Sequence, residues 1–84
     1  MSAKKYGIYR ISAYIDKGQS ILYGGNRWFF EVSFTDFGGT TNILRREHIP
    51  GCDSFKWAES VGLQWLYDHL EKQLQEVKEA LNTL

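Results

Sequence analysis

The last thirty residues carry apolar side chains on two faces of one helix, in a chain long enough to build only one sheet to cover them. On a helical wheel of about 100° per residue, Trp57, Ala58, Val61 and Trp65 fall within one quadrant. Leu63, Leu66, Leu70, Leu74, Val77, Leu81 and Leu84 fall within another, roughly opposite. Asp53 or Ser54 supplies the N-cap after the break at Pro50-Gly51, so the spacing predicts a helix over 53–82. About twenty-nine helical residues span ~43 Å, against ~30 Å for a nine-residue strand. Such a helix outruns its sheet by a turn or more unless it bends near Asp68-His69.

Upstream of the helix, residues 6–47 read as an antiparallel sheet. Tyr6 to Ile15 is rich in β-branched and aromatic types, with Tyr9, Ile11, Ala13 and Ile15 sharing one face. Tyr6, Ile8, Arg10, Ser12 and Tyr14 share the other. Glycines and Asn26 punctuate 16–26, where Ile21-Leu22-Tyr23 is too short for a separate strand. The cleanest alternation follows, with Trp28, Phe30, Val32 and Phe34 inward and Arg27, Phe29, Glu31, Ser33 and Thr35 outward. Asp36-Phe37-Gly38-Gly39 reverses the chain, and Thr40 to Glu47 returns. With a two-residue loop Ile43 falls on the core side and Leu44 and Arg46 point away; a bulge exchanges these facings. The expected fold is a single α+β domain over 1–84, a three-stranded meander of order 1-2-3 packed on one long C-terminal helix (βββα). Its expected core is Tyr9, Ile11, Trp28, Phe30, Val32, Phe34, Trp57, Val61 and Trp65.

Eighty-four residues bury a modest core, to which an aromatic share of 15 % contributes more area per residue than is usual. Net charge is zero, which argues against a general nucleic-acid or membrane-surface binder. Within that zero, residues 1–50 carry seven basic against four acidic side chains, and 51–84 three against six. The single cysteine, Cys52, has no internal disulfide partner, and no apolar run is long enough to cross a bilayer; a cytoplasmic location is the expectation. His48 and Cys52 flank Pro50-Gly51, an arrangement from which an activated thiol can arise, but a loop histidine and a packed thiol are the ordinary outcome. No metal-ligand spacing, phosphate loop or small-molecule motif is present in the sequence, and no cofactor is expected.

Two surfaces remain as candidates for binding. The stripe of Leu63, Leu66, Leu70, Leu74, Val77 and Leu81 has near-heptad spacing, so it either docks on a protein partner or a second copy, or turns with the helix to face the same sheet. The outward sheet face presents Tyr6, Arg10, Tyr14, Phe29, Glu31 and Arg46, types suited to protein interfaces. The same rings and guanidinium groups outline a platform for single-stranded nucleic acid, against which Glu31 counts by repelling phosphate. The expected function is binding without catalysis, acting by covering another macromolecule's surface. In size and build the chain resembles many small phage- or mobile-element-encoded inhibitors, anti-CRISPR proteins among them, and that resemblance implies a block on a nucleic-acid-processing complex.

Overall fold

The structure, a computed structural model, describes residues 2–17 and 27–84. Its elements run β1 (Ser2–Tyr6), β2 (Tyr9–Ile15), β3 (Trp28–Thr35), β4 (Thr41–His48) and α1 (Phe55–Asn82). The four strands form one antiparallel sheet in the order β1-β2-β3-β4. The α+β class and the long C-terminal helix are as the sequence leads one to expect, with four strands in place of three. The Ile21–Tyr23 segment and Gly24-Gly25-Asn26 lie outside the described residues.

The added strand comes from the tight turn at Gly7-Ile8. Gly7 has φ +65°, and among the described residues only glycines have a positive φ. A positive φ at the first central position alone is the pattern of the type II′ hairpin turn, whose twist suits antiparallel strands. Lys4 and Lys5 then occupy the edge strand, where charge discourages further pairing.

The second hairpin fixes the facing of β4 in two steps. Asp36 N–H donates to Thr40 O, leaving a three-residue loop with Gly39 at φ +82°. That shifts the pairing by one residue relative to a two-residue loop, so Thr35 faces Thr41 and Ser33 faces Ile43. A bulge at Leu44 shifts it back, and Val32 faces Arg45 and Glu31 faces Arg46. Ile43 is therefore exposed and Leu44 packs on the core, the reverse of the two-residue expectation, while Arg46 keeps its outward facing.

Asp36 holds this loop through its carboxylate, which accepts from the N–H groups of Gly38 (3.0 Å) and Thr40 (2.9 Å) and from Asn42 Nδ2 (3.3 Å). The Thr40 N–H, then the Asn42 side chain, keep the carboxyl below its ordinary pKa of 3.8. A depressed carboxylate stabilises the native state fully above its unfolded pKa and loses that contribution as pH falls through the native value. Asp36→Ala should therefore lower the urea midpoint at pH 7, and the gap to the parent protein should narrow below pH 3.8.

Helix α1 starts at Ser54, whose hydroxyl accepts from Trp57 N–H at 3.1 Å. It crosses β2 and β3 and touches β1, where Lys4 Nζ pairs with Glu59 at 3.5 Å. The line of closest approach is Ala58, Gly62 and Leu66, spaced four apart and buried. A Cβ on Gly62 would lie 2.8 Å from Ile11 Cγ2 and 3.3 Å from Phe30 Cβ and Cδ2, so the helix backbone rests directly on the sheet.

That line of small residues displaces the expected axis of contact. Trp57 is 43 % exposed, so it stands beside the contact rather than within it, and Val61 and Trp65 are half-buried at its margin. The buried core is Ile11, Ala13, Trp28, Phe30, Val32, Ile49, Cys52, Ala58 and Leu66, with Tyr9 and Phe34 half-buried. Phe55 closes the upper end, its ring edge-on to Trp28 at 4.6 Å.

Candidate functional site

From Glu71 onward every residue of the helix is exposed, and the last described contact with the core is Leu70. At ~1.5 Å per residue the free segment 71–82 is about 18 Å long, which is why the molecule measures 54 × 29 × 20 Å. The helix runs through Asp68-His69 as one element, and its distal leucines are exposed instead of turning back to the sheet.

The structure divides the candidate stripe. Leu66 is only 3 % exposed and belongs to the core, which removes it from any docking surface. Leu70 is half-buried. Leu63, Leu74, Val77 and Leu81 are exposed, the last three by 55–67 %, as is Leu84 at the end of the chain. Tyr67, 62 % exposed, joins them on the same face. The sequence signal for Tyr67 was its spacing: Leu63, Tyr67, Leu70, Leu74, Val77, Leu81 and Leu84 alternate steps of four and three, whereas Leu66 breaks that alternation. This face is centred about 90° from the line that meets the sheet, so the core and the stripe flank each other instead of standing opposite.

Few monomeric surfaces present a contiguous apolar strip of this kind without an occupant. On the polar side of the same segment, Asp68, Glu71, Lys72, Gln75, Glu76 and Glu79 keep the helix hydrated.

The outward sheet face brings together Arg10, Tyr14, Glu31 and Arg46 around a shallow hollow of about 320 Å³ that is also lined by Ser12, Thr41 and the buried Ser33. Tyr6 is not there. Its partner across the β1–β2 turn is Tyr9, which lies on the helix side, so Tyr6 stands on the helix side as well. Phe29 stacks on Tyr14 (5.7 Å, 12°) and meets His48 (5.4 Å, 48°), forming an aromatic row across β2, β3 and β4. Arg46 covers both rings at 5.3 and 5.7 Å and pairs with Asp16 at 3.4 Å. Burial pushes the Tyr14 phenol above its ordinary pKa, against the opposing pull of Arg46.

These contacts consume the features a nucleobase platform requires. The ring faces stack on each other, the central guanidinium is bonded to a carboxylate, and Glu31 lies directly across from Arg46. His48 belongs to this row while Cys52 is buried in the core on the helix side, its Sγ donating to Ser54 O at 3.3 Å; the thiol and imidazole are not brought together. Among the described residues, no group of three or more His, Cys, Asp or Glu side chains sits where it could hold a metal ion, and no helix is long and apolar enough to cross a membrane. No family model, no curated protein and no solved structure matches the chain.

Proposed function

We propose that this protein binds another protein surface without catalysing a reaction, and that the projecting half of α1 is the element that binds. The observation that carries this reading is the exposed strip of Leu74, Val77 and Leu81, held clear of the sheet on a continuous helix anchored at Ala58, Gly62 and Leu66. An amphipathic helix laid on a partner is a common recognition mode, with anchors three and four residues apart. The sheet serves as the base that orders the helix, and it adds bulk that covers neighbouring surface once the helix is seated. Covering a surface is the mode of action expected of a phage- or mobile-element-encoded inhibitor of a nucleic-acid-processing complex. Single-stranded nucleic acid on the outward sheet face is the weaker reading, because Arg46 and the Tyr14–Phe29 stack are already engaged.

The test is a photoreactive amino acid placed singly at Leu74, Leu81, Arg10 and Phe29 in the living source cell. Protein adducts from Leu74 and Leu81, whether with a different chain or a second copy, and none from Arg10 or Phe29, are the expected result. Adducts confined to the sheet positions would move the binding surface, and nucleic-acid adducts from Phe29 would favour the weaker reading.

A further inference from the structure

We infer that the occupant of the projecting helix is the same helix of a second copy, running antiparallel in one defined register. This rests on the protein-binding reading and names its partner. With Leu66 assigned to the core and Tyr67 to the strip, the spacing is that of a coiled-coil seam. Tyr67, Leu74 and Leu81 occupy its a positions, and Leu63, Leu70, Val77 and Leu84 its d positions.

The surface already carries a socket of the right form. A hollow of about 260 Å³ is lined by Tyr67, Leu70, Glu71 and Leu74. Residues at i, i+3, i+4 and i+7 are the four that form the hole receiving a knob from a facing helix.

Antiparallel packing sets each a position against a d position of the other chain. One register satisfies the whole free segment. Tyr67 then faces Leu84 of the second copy, Leu70 faces its Leu81 and Leu74 faces its Val77, with the symmetric contacts repeating these in reverse. In that register Leu81 of the second copy is level with the hollow at Tyr67–Leu74.

Charge selects the same arrangement independently. The only charged residues flanking the seam at e and g positions are Glu71 and Lys78, both at e. An antiparallel pair brings e against e, and the register fixed by the apolar layers sets Glu71 of each copy opposite Lys78 of the other, twice by symmetry. The g positions bring Gln73 against Ala80, with no charge to oppose the pairing. A parallel pair would set Lys78 against Gln73 and Glu71 against Leu66, which is buried under its own sheet. It would also crowd both sheets at one end, whereas the antiparallel pair places them at opposite ends and opposes the helix dipoles favourably.

Light scattering and sedimentation over a concentration series are expected to give a reversible species of twice the 9.8 kDa chain mass. Glu71→Lys and Lys78→Glu should each weaken dimerisation about tenfold, since two attractive exposed pairs become repulsive, and the combined variant should restore it. Chains carrying Leu70→Cys and Leu81→Cys should form a mixed disulfide when combined and none when kept separate, with linkages mapped by peptide mass spectrometry and folding verified by melting. A monomer at millimolar concentration, single variants with unchanged dissociation, or a Leu70→Cys chain that links to itself would overturn the inference. A monomer that still photo-crosslinks through Leu74 to a different protein would overturn the dimer alone. Absence of every adduct would overturn the protein-binding reading with it.

Discussion

Gly62→Leu should detach the helix from the sheet and abolish cooperative unfolding, and Gly62→Ala should destabilise measurably despite improving the helix. Alanine in a helix interior is favoured over glycine by about 1 kcal/mol. At Gly62 the added methyl would meet the Ile11 Cγ2 methyl at 2.8 Å and the Phe30 ring at 3.3 Å. Both neighbours are buried to within 2 % of full coverage and have nowhere to retreat. Overpacking of that kind costs about 1–3 kcal/mol, so the net for alanine is a loss of up to about 2 kcal/mol. In a domain of this size that lowers the melting temperature by about 4–8 °C per kcal/mol. Leucine has no accommodation short of lifting the helix, and with it go the contacts of Ala58 and Leu66. Calorimetry of both variants decides this. A higher melting temperature for Gly62→Ala would show that Ile11 yields.

The second large effect separates association from folding. Leu74→Glu combined with Val77→Glu should eliminate binding through the helix while leaving the melting temperature of the monomer nearly unchanged. Both side chains are more than half exposed and lie beyond the last residue that touches the core. Substitutions at such positions usually shift stability by no more than about 0.5 kcal/mol. At an interface the same change buries four carboxylates per dimer without partners, which neither packing nor pairing offsets. Leu66→Glu is the matched control and should unfold the protein, because Leu66 is 3 % exposed beneath the same helix. Circular dichroism melts alongside sedimentation would distinguish the two. If Leu74→Glu with Val77→Glu unfolds the chain, the distal leucines are core and the proposed surface does not exist.

Much of the architecture was legible in local signals. Trp28, Phe30 and Val32 alternate because a strand presents every second side chain to one face, and all three are buried. Ser54 caps the helix because a hydroxyl there satisfies an N–H that the helix leaves open. Tyr6 faces the helix side because a two-residue turn interrupts what reads as one continuous run from Tyr6 to Ile15; Gly7 followed by one residue is the only local signal of that turn. Trp57 dominates a helical wheel by its size, yet it is 43 % exposed. Close helix-to-sheet approach instead runs along the smallest side chains, Ala58 and Gly62, and the tryptophans are left at its edges.

Local pattern along the chain is enough to set the alternating strands, the capped helix, its excess length over the sheet and an apolar surface larger than one sheet can bury. Each follows from period, cap and length, which are properties of neighbouring residues along the chain. Which leucines are surplus depends on how the helix packs on the sheet. Leu66 and Tyr67 are adjacent in sequence and differ by about 100° around the helix, and which of them meets the sheet depends on where Ile11 and Phe30 sit in β2 and β3. The same holds for Ile43 and Leu44, exchanged by a bulge that compensates a three-residue loop. Facing is set by register between distant segments, and register is fixed by packing across the whole sheet.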